Sequence, residues 1–183
     1  MTPEVHAWLL DLGYGHRTAV APRHMAEYVF DPALHAVPLA QAHLRGVTRW
    51  RGLLVPLVDL AVLLGEPRIE VERRRAVILA YRTAEDAPIR FGGLIVRAEP
   101  KEIPVRDDMA CPLPSEPEAW REIALSCFSH EEQPVPILNV AALFPEMRAA
   151  TEPALSAPLA VGSSAPAEPQ PLADSHIQEA TGP

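Results

Sequence analysis

The sequence predicts an all-β protein built from small barrels, arranged as two similar halves. Three observations carry that expectation. About ten short apolar runs are separated by turn residues. Twenty-one prolines interrupt the chain and leave few windows that a helix could occupy. Finally, the segment Pro56-Leu57-Val58-Asp59-Leu60-Ala61-Val62-Leu63-Leu64 recurs without a gap as Pro136-Ile137-Leu138-Asn139-Val140-Ala141-Ala142-Leu143-Phe144. Each copy reads as a strand, a capping residue and a short helix. The period is too long for a solenoid. It suggests two halves that close in the same way, with chance similarity of two short apolar runs as the competing explanation.

The elements follow in order. Val5 to Leu12 is apolar on both alternations and reads as a strand covered on both sides. Gly13-Tyr14-Gly15 is a turn, and His16 to Ala21 returns as the hairpin partner. Met25 to Phe30 is a third strand, or a turn of helix leading into one. Asp31-Pro32 and Val37-Pro38 punctuate a loop in which Pro38 to Ala42 is compatible with helix. Leu44 to Trp50 and Leu53 to Val58 are two strands around the turn Arg51-Gly52. Asp59 then caps a short helix, Leu60 to Leu64, which Gly65 stops. Glu66 to Arg73 is a charged, exposed connection.

Arg75 to Arg82 and Ile89 to Arg97 form a hairpin, with Gly92-Gly93 marking a bulge or a close approach of backbone. Pro100 to Pro117 is too broken by proline for a long helix. Ala119 to Cys127 is a strand candidate, Ser129 to Gln133 a polar turn and Val135 to Leu138 the last strand. From Ala149 onward the chain is Ala, Pro, Ser and Glu with few branched or aromatic residues, a composition expected to stay disordered.

Composition bounds the function. A hydrophobic content of 48% against 22% charged residues supports a packed core. The formal net charge is -8, and the segment 149–183 supplies -4 of it through Glu152, Glu168, Asp174 and Glu179, with no Lys or Arg. Neither part has the basic excess of a nucleic-acid binder. Arg73-Arg74-Arg75 follows Glu70 and Glu72 and reads as a solvated face. No apolar stretch is long enough to span a bilayer, and Met1 to Leu12 lacks the basic start of a signal peptide, so direct membrane insertion is not expected. Cys111 and Cys127 show neither CxxC nor metal-ligand spacing, which favours a reduced, cytoplasmic setting with Cys127 as a small apolar core residue.

Few residues fall in patterns that carry catalytic or metal chemistry. The seven histidines are scattered; His16 and His24 alone could face each other across a hairpin, without further ligands for a metal. No Gly-rich phosphate loop precedes a helix. The paired carboxylates Asp107-Asp108 and Glu131-Glu132 fall in polar turns. Asp59 is the most tempting acid, but Asn139 stands in the matching place. An amide caps a helix and cannot act as a general base, so both are read as structural caps, and Asp59→Asn is expected to stay folded. No cofactor or metal is expected.

What remains is cationic. Strand alternation puts Arg45, Arg49 and Arg51 on one face and Trp50 on the other. A half-buried cationic stripe beside an apolar run needs a carboxylate or a protein surface, and Arg beside an aromatic is a common hot-spot composition. The alternative is that the arginines only keep a strand edge soluble. With the adjoining Gly52, these residues are the candidate partner-binding set.

Those residues carry a resemblance. Gly46 to Leu60, closing at Gly65, resembles the signature of the CheW-like chemotaxis adaptor domain family. In that signature Asn-Leu-Arg-Gly leads into a branched run, then Pro, two branched residues and Asp-Leu. Here Arg51-Gly52, Pro56 and Asp59-Leu60 match it. Arg17 to Phe30, with Glu27 at the family's glutamate, is similar to its second and third strands. Ala76 to Pro114 and Pro134 to Phe144 are similar to its later strands and closing helix, so the likeness spans about Val5 to Met147. The chain departs from the family at Arg49 for Asn, Trp50 for Leu and Val96-Arg97 for Val-Asp, the pattern of a divergent member or accessory adaptor.

The resemblance implies two five-stranded, SH3-like barrels over residues 1–148, with 149–183 as the tail. It implies no enzymatic activity. It implies a cytoplasmic scaffold at receptor arrays, whose partners are the regulatory domain of a CheA-type histidine kinase and a chemoreceptor cytoplasmic tip. The receptor hairpin would lie in the groove between the barrels, and Arg51 matches the arginine associated with receptor coupling. A small barrel binding a small molecule or another protein outside such arrays is the alternative; an enzyme has no supporting constellation.

Overall fold

In the computed structural model, which describes residues 4–144, ten strands form two five-stranded sheets. The expected disordered segment 149–183 lies outside the described residues. The strands are β1 (Glu4–Gly13), β2 (His16–Val20), β3 (Met25–Phe30), β4 (Leu44–Trp50), β5 (Leu53–Val58), β6 (Arg75–Tyr81), β7 (Arg90–Val96), β8 (Lys101–Arg106), β9 (Ala124–His130) and β10 (Gln133–Leu138). Two single helical turns, α1 (Leu60–Leu63) and α2 (Trp120–Ile123), and three short 3-10 turns complete them. The all-β expectation and the two five-stranded units are both found.

The sheet orders are β3-β6-β7-β5-β4 and β8-β1-β2-β10-β9. Their orders match strand for strand, β3 with β8, β6 with β1, β7 with β2, β5 with β10 and β4 with β9. Among the described residues, the one parallel pairing in each sheet joins the strand before the short helix to the middle of the sheet: Leu57 opposite Gly93, and Ile137 opposite Ala19. Each edge is closed by one isolated bridge from the segment after the first strand of the set, His35 to Val47 and Ala110 to Phe128. The repeat read from Pro56 and Pro136 is therefore real. The second half is circularly permuted, its last two strands being the first two of the chain. For that reason a linear reading could see the matching ends but not the matching halves.

Packing follows the same division. One small core lies inside each sheet's curl, around Phe128 and Val135 in one and around Trp50, Leu57 and Ile78 in the other. A third, larger core joins the two, drawing Leu10, Leu12 and Val20 from one sheet and Val58, Leu79 and Leu94 from the other. The turn after β10 is central to it. Phe144 stacks on Tyr81 at 5.2 Å between centroids, and its ring fills the place where Gly92 has no Cβ. The close approach expected at Gly92-Gly93 is thus present: Gly93 makes room for the Leu57 side chain and Gly92 for Phe144.

Three local expectations change. Lys101–Arg106, inside the proline-broken stretch, is a strand; β8 is an edge strand, the place in a sheet where proline is tolerated, and Ile103 and Val105 alternate inward around Pro104. The strand expected from Ala119 begins at Ala124, because Trp120–Ile123 is a helical turn that buries Trp120 and Ile123. Pro38 to Ala42 forms turns and not helix.

Candidate interaction site on the β4–β5 hairpin

Trp50 pairs with Leu53, which leaves Arg51 and Gly52 as a two-residue turn. Their φ angles are 47° and 81°, the sign that a tight hairpin of matching twist requires at both positions. Arg51 is therefore in the turn and not on the strand face. The three-arginine stripe is broken at its other end as well. Leu44 faces Val58 and Gly46 faces Leu57, so Arg45 is an extra, bulged residue. It turns inward and is buried, while Arg49 points to solvent. Alternation holds only for Arg49 and Trp50, which take opposite faces as expected.

Arg45 is buried because it has a partner. Its Nη1 donates to Asp59 Oδ2 at 3.1 Å, and Nη2 of Arg97 donates to the same oxygen at 2.9 Å. Glu70 reaches Arg45 from the exposed connection at 3.3 Å. Burial is the largest influence on Arg45 and lowers its pKa, with the neighbouring cation Arg68 acting in the same sense and Glu70 and Asp59 opposing. The reading of Asp59 as a helix cap is corrected: its side chain makes no cap hydrogen bond, and its carboxylate is committed to two arginines. Asn139 likewise makes no side-chain cap bond. What the two positions share is backbone: the Asp59 N–H donates to His43 O and the Asn139 N–H to Ile123 O, both at 2.8 Å.

The hairpin tip has its own anchor. Barrel closure brings β3 beside the end of β4, and there Glu27 Oε2 accepts from Trp50 Nε1 at 2.9 Å and from Arg51 Nη2 at 2.7 Å. The Arg51 guanidinium lies 4.8 Å from the centroid of the Trp50 ring, which in turn packs on Phe91 at 4.9 Å. The Trp50 N–H holds the Glu27 carboxyl below the usual carboxylate range; partial burial opposes this and Arg51 adds to it. Glu27 fixes Arg51 and Trp50 in one geometry, so the turn is presented ready-formed. Beside it the adjacent Leu53 and Leu54 are 47% and 68% exposed, an apolar pair next to the cationic turn. Arg49, Arg51, Leu53 and Leu54 make a cationic and apolar tip on a rigid base. Gly52, at φ 81°, supplies the second position of the turn.

A second concave surface lies between the sheets. This groove of about 500 Å³ is walled by Val58 and Leu63 on one side, Ile123 and Phe144 on the other, and the Val37–Leu44 segment across one end. The fully exposed Leu39 stands at its rim. The remaining candidates do not assemble. His16 Nε2 lies 2.8 Å from Glu66 and His24 Nδ1 2.8 Å from Ala80 O, so the two histidines serve different partners. Among the described residues no three His, Cys, Asp or Glu side chains are placed to hold a metal ion, and no helix is long and apolar enough to cross a membrane.

With this geometry in place, the comparison with known families is decisive. The CheW-like domain matches residues 14–148. The chain belongs to the CheW-like domain family. Members of that family are non-enzymatic scaffolds of chemotaxis signalling, and the chain takes an adaptor role of that kind. Fourteen chains of solved structure match. One is the scaffolding protein TtCheW from Thermoanaerobacter tengcongensis, with a TM-score of 0.60 and 18% identity over 75% of this chain and 89% of that one; at this identity the likeness concerns the fold. A search of curated proteins gave no match. In this CheW-like chain the family match starts after β1, yet β1 sits between β8 and β2 and completes the second barrel. Two pairings that shape the site escaped the sequence reading: Glu27 with Trp50 and Arg51, and Arg97 with Asp59. Each joins residues more than twenty positions apart in different segments of the chain, which no periodicity reveals.

Proposed function

We propose that this chain couples chemoreceptor cytoplasmic tips to the regulatory domain of a CheA-type histidine kinase, as an accessory adaptor whose working unit is residues 1–148. The observation that carries the reading is the pre-organised β4–β5 tip. Arg51 and Trp50 are locked by Glu27 and so lose little further freedom on binding, and the exposed leucines beside them supply apolar surface to bury. Arginine and aromatic anchors ringed by apolar contacts are the usual composition of an interface hot spot. The inter-sheet groove is the surface assigned to a helical receptor hairpin: it is concave and lined by Val58, Leu63, Ile123 and Phe144, apolar side chains of the kind that receive the apolar face of a helix. The work is done by equilibrium binding, which holds two partners in one geometry in the cytoplasm beneath the receptor membrane.

The test is a titration of the full chain against the kinase's regulatory domain and a receptor-tip fragment. Arg51→Ala combined with Leu54→Ala is expected to weaken binding to at least one of them by about tenfold or more. Absence of binding to both by the wild-type chain would sink this function.

A further inference from the structure

Beyond adaptor binding, we propose that Cys111 and Cys127 form an oxidisable dithiol, a modification site at which a hydroperoxide converts the pair to a reversible disulfide that closes the second barrel covalently. The two sulfurs lie 3.2 Å apart, and both thiols are free. The Ala110–Phe128 bridge places Cys111 directly across from Cys127, and the Cys111 N–H donates to Cys127 O at 3.1 Å. Residues directly opposed in an antiparallel ladder have Cα atoms roughly 4.5–5.5 Å apart, within the span that a disulfide needs, so the sulfurs can meet without moving backbone. They are the only cysteines of the chain.

Exposure sets the order of events. Cys111 is half-buried and reaches solvent; Cys127 is buried, and burial followed by its contact with Cys111 pushes its thiol up to about 12. The Cys111 sulfur attacks the distal oxygen of the hydroperoxide, becomes a sulfenic acid and releases an alcohol, or water from hydrogen peroxide. Cys127 then attacks the sulfenic sulfur. The S–S bond forms, the S–O bond breaks, and the hydroxide takes up the Cys127 proton and leaves as water. Two thiols have lost two electrons, and the peroxide has gained them.

The consequence is structural. The loop so closed runs from Pro112 to Ser126 and carries α2, whose Glu122 and Ile123 line the groove between the sheets. In the first barrel the corresponding edge is held by the His35–Val47 pair of hydrogen bonds, at 2.8 and 2.9 Å. The second barrel has a thiol pair at this place, and oxidation would tie one groove wall to its own barrel.

The experiment oxidises the full chain with hydrogen peroxide, removes the excess, and reads intact mass and thermal unfolding with and without dithiothreitol. The expected result is a monomer lighter by two hydrogens, with a midpoint raised by about 5–10 °C for a loop of this length, and both changes reversed by the reductant. Cys111→Ser is expected to keep the reduced-state midpoint within about 2 °C and to abolish the oxidation-induced rise. Cys127→Ala gives the second arm, read by mass alone: it is expected to yield a sulfenic or over-oxidised adduct at Cys111 with no loss of two hydrogens. Oxygen adducts without loss of hydrogens in the wild type, disulfide-linked dimers, or a raised midpoint that persists in Cys111→Ser would each overturn the proposal.

Discussion

The two barrels repeat one backbone and differ in what they bury at the same point. Both carry a bulge where the edge strand meets the strand before the short helix. In the first, Arg45 is the extra residue opposite Leu57 and Val58; in the second it is Leu125, opposite Ile137 and Leu138. Arg45 turns inward to Asp59, whereas Leu125 turns outward and is 62% exposed. The residue after the strand follows suit: Asp59 in the first barrel and Asn139 in the second. A bulge re-aims a side chain without choosing its direction. The direction here is set by charge. Where a carboxylate waits inside, an arginine can be buried; where an amide stands, no cation is drawn in. The lesson is that Asp59 belongs to an ion network and not to a helix cap.

Breaking that network should give the largest effect. Asp59→Ala leaves Arg45 buried against Glu70 alone and is expected to cost about 3–5 kcal/mol in urea unfolding, while Asn139→Ala costs about 1 or less. Asp59→Asn, which a cap role would tolerate, is expected to lose about 2–3 kcal/mol, since an amide cannot neutralise two guanidiniums. Copying the second barrel's solution sharpens the point: Arg45→Leu added to Asp59→Asn should recover part of that loss, because no buried cation is then left without its partner. If Asp59→Asn is as stable as wild type, the network is not what distinguishes the barrels.

The parallel pairings offer the next contrast. Gly93 and Ala19 are equivalent, facing Leu57 and Ile137. A Cβ at Gly93 would enter the Leu57 side chain, so Gly93→Ala is expected to cost about 1–3 kcal/mol. Ala19→Gly, the reverse exchange, should cost about 1 kcal/mol through lost packing and a freer unfolded chain.

The hairpin tips differ in sign. The first presents Arg51-Gly52 and pairs with Glu27; the second presents Glu131-Glu132, and Glu131 pairs with Arg17 at 2.6 Å. Both carboxyls are held below the usual carboxylate range, Glu27 chiefly by Trp50 and Glu131 chiefly by Arg17. A depressed pKa in the folded state means the contact is fully present above the unfolded value and is lost as pH falls through the folded one. The Trp50 fluorescence change on acidification should therefore centre below the ordinary glutamate midpoint. It should vanish in Glu27→Gln, which keeps the signals of Trp8 and Trp120. The smallest effect is in the turns. Glu132 sits at φ 62°, where the first barrel has Gly52, so Glu132→Gly should stabilise by about 0.5–1 kcal/mol and Gly52→Ala should destabilise by a similar amount in the same unfolding assay.

The sequence by itself determined the fold class, the hairpins, the repeat at Pro56 and Pro136, and the motif around Arg51 that identifies the family. These are local matters: alternation, proline and glycine positions, and a contiguous signature. It also located the close approach at Gly92-Gly93, because paired glycines in an apolar strand have few other uses. It misplaced what depended on a partner across the fold. A bulge one residue long reversed Arg45, a proline disguised the edge strand β8, and the cap pattern at Asp59 concealed two arginines 14 and 38 positions away. The permuted second barrel, the carboxylate that locks Trp50 to Arg51, and the meeting of Cys111 with Cys127 were settled only by tertiary structure. Each depends on which distant strands become neighbours. Burial of a charge, closure of an edge and contact of two thiols are decided by that neighbourhood and not by the residues alone.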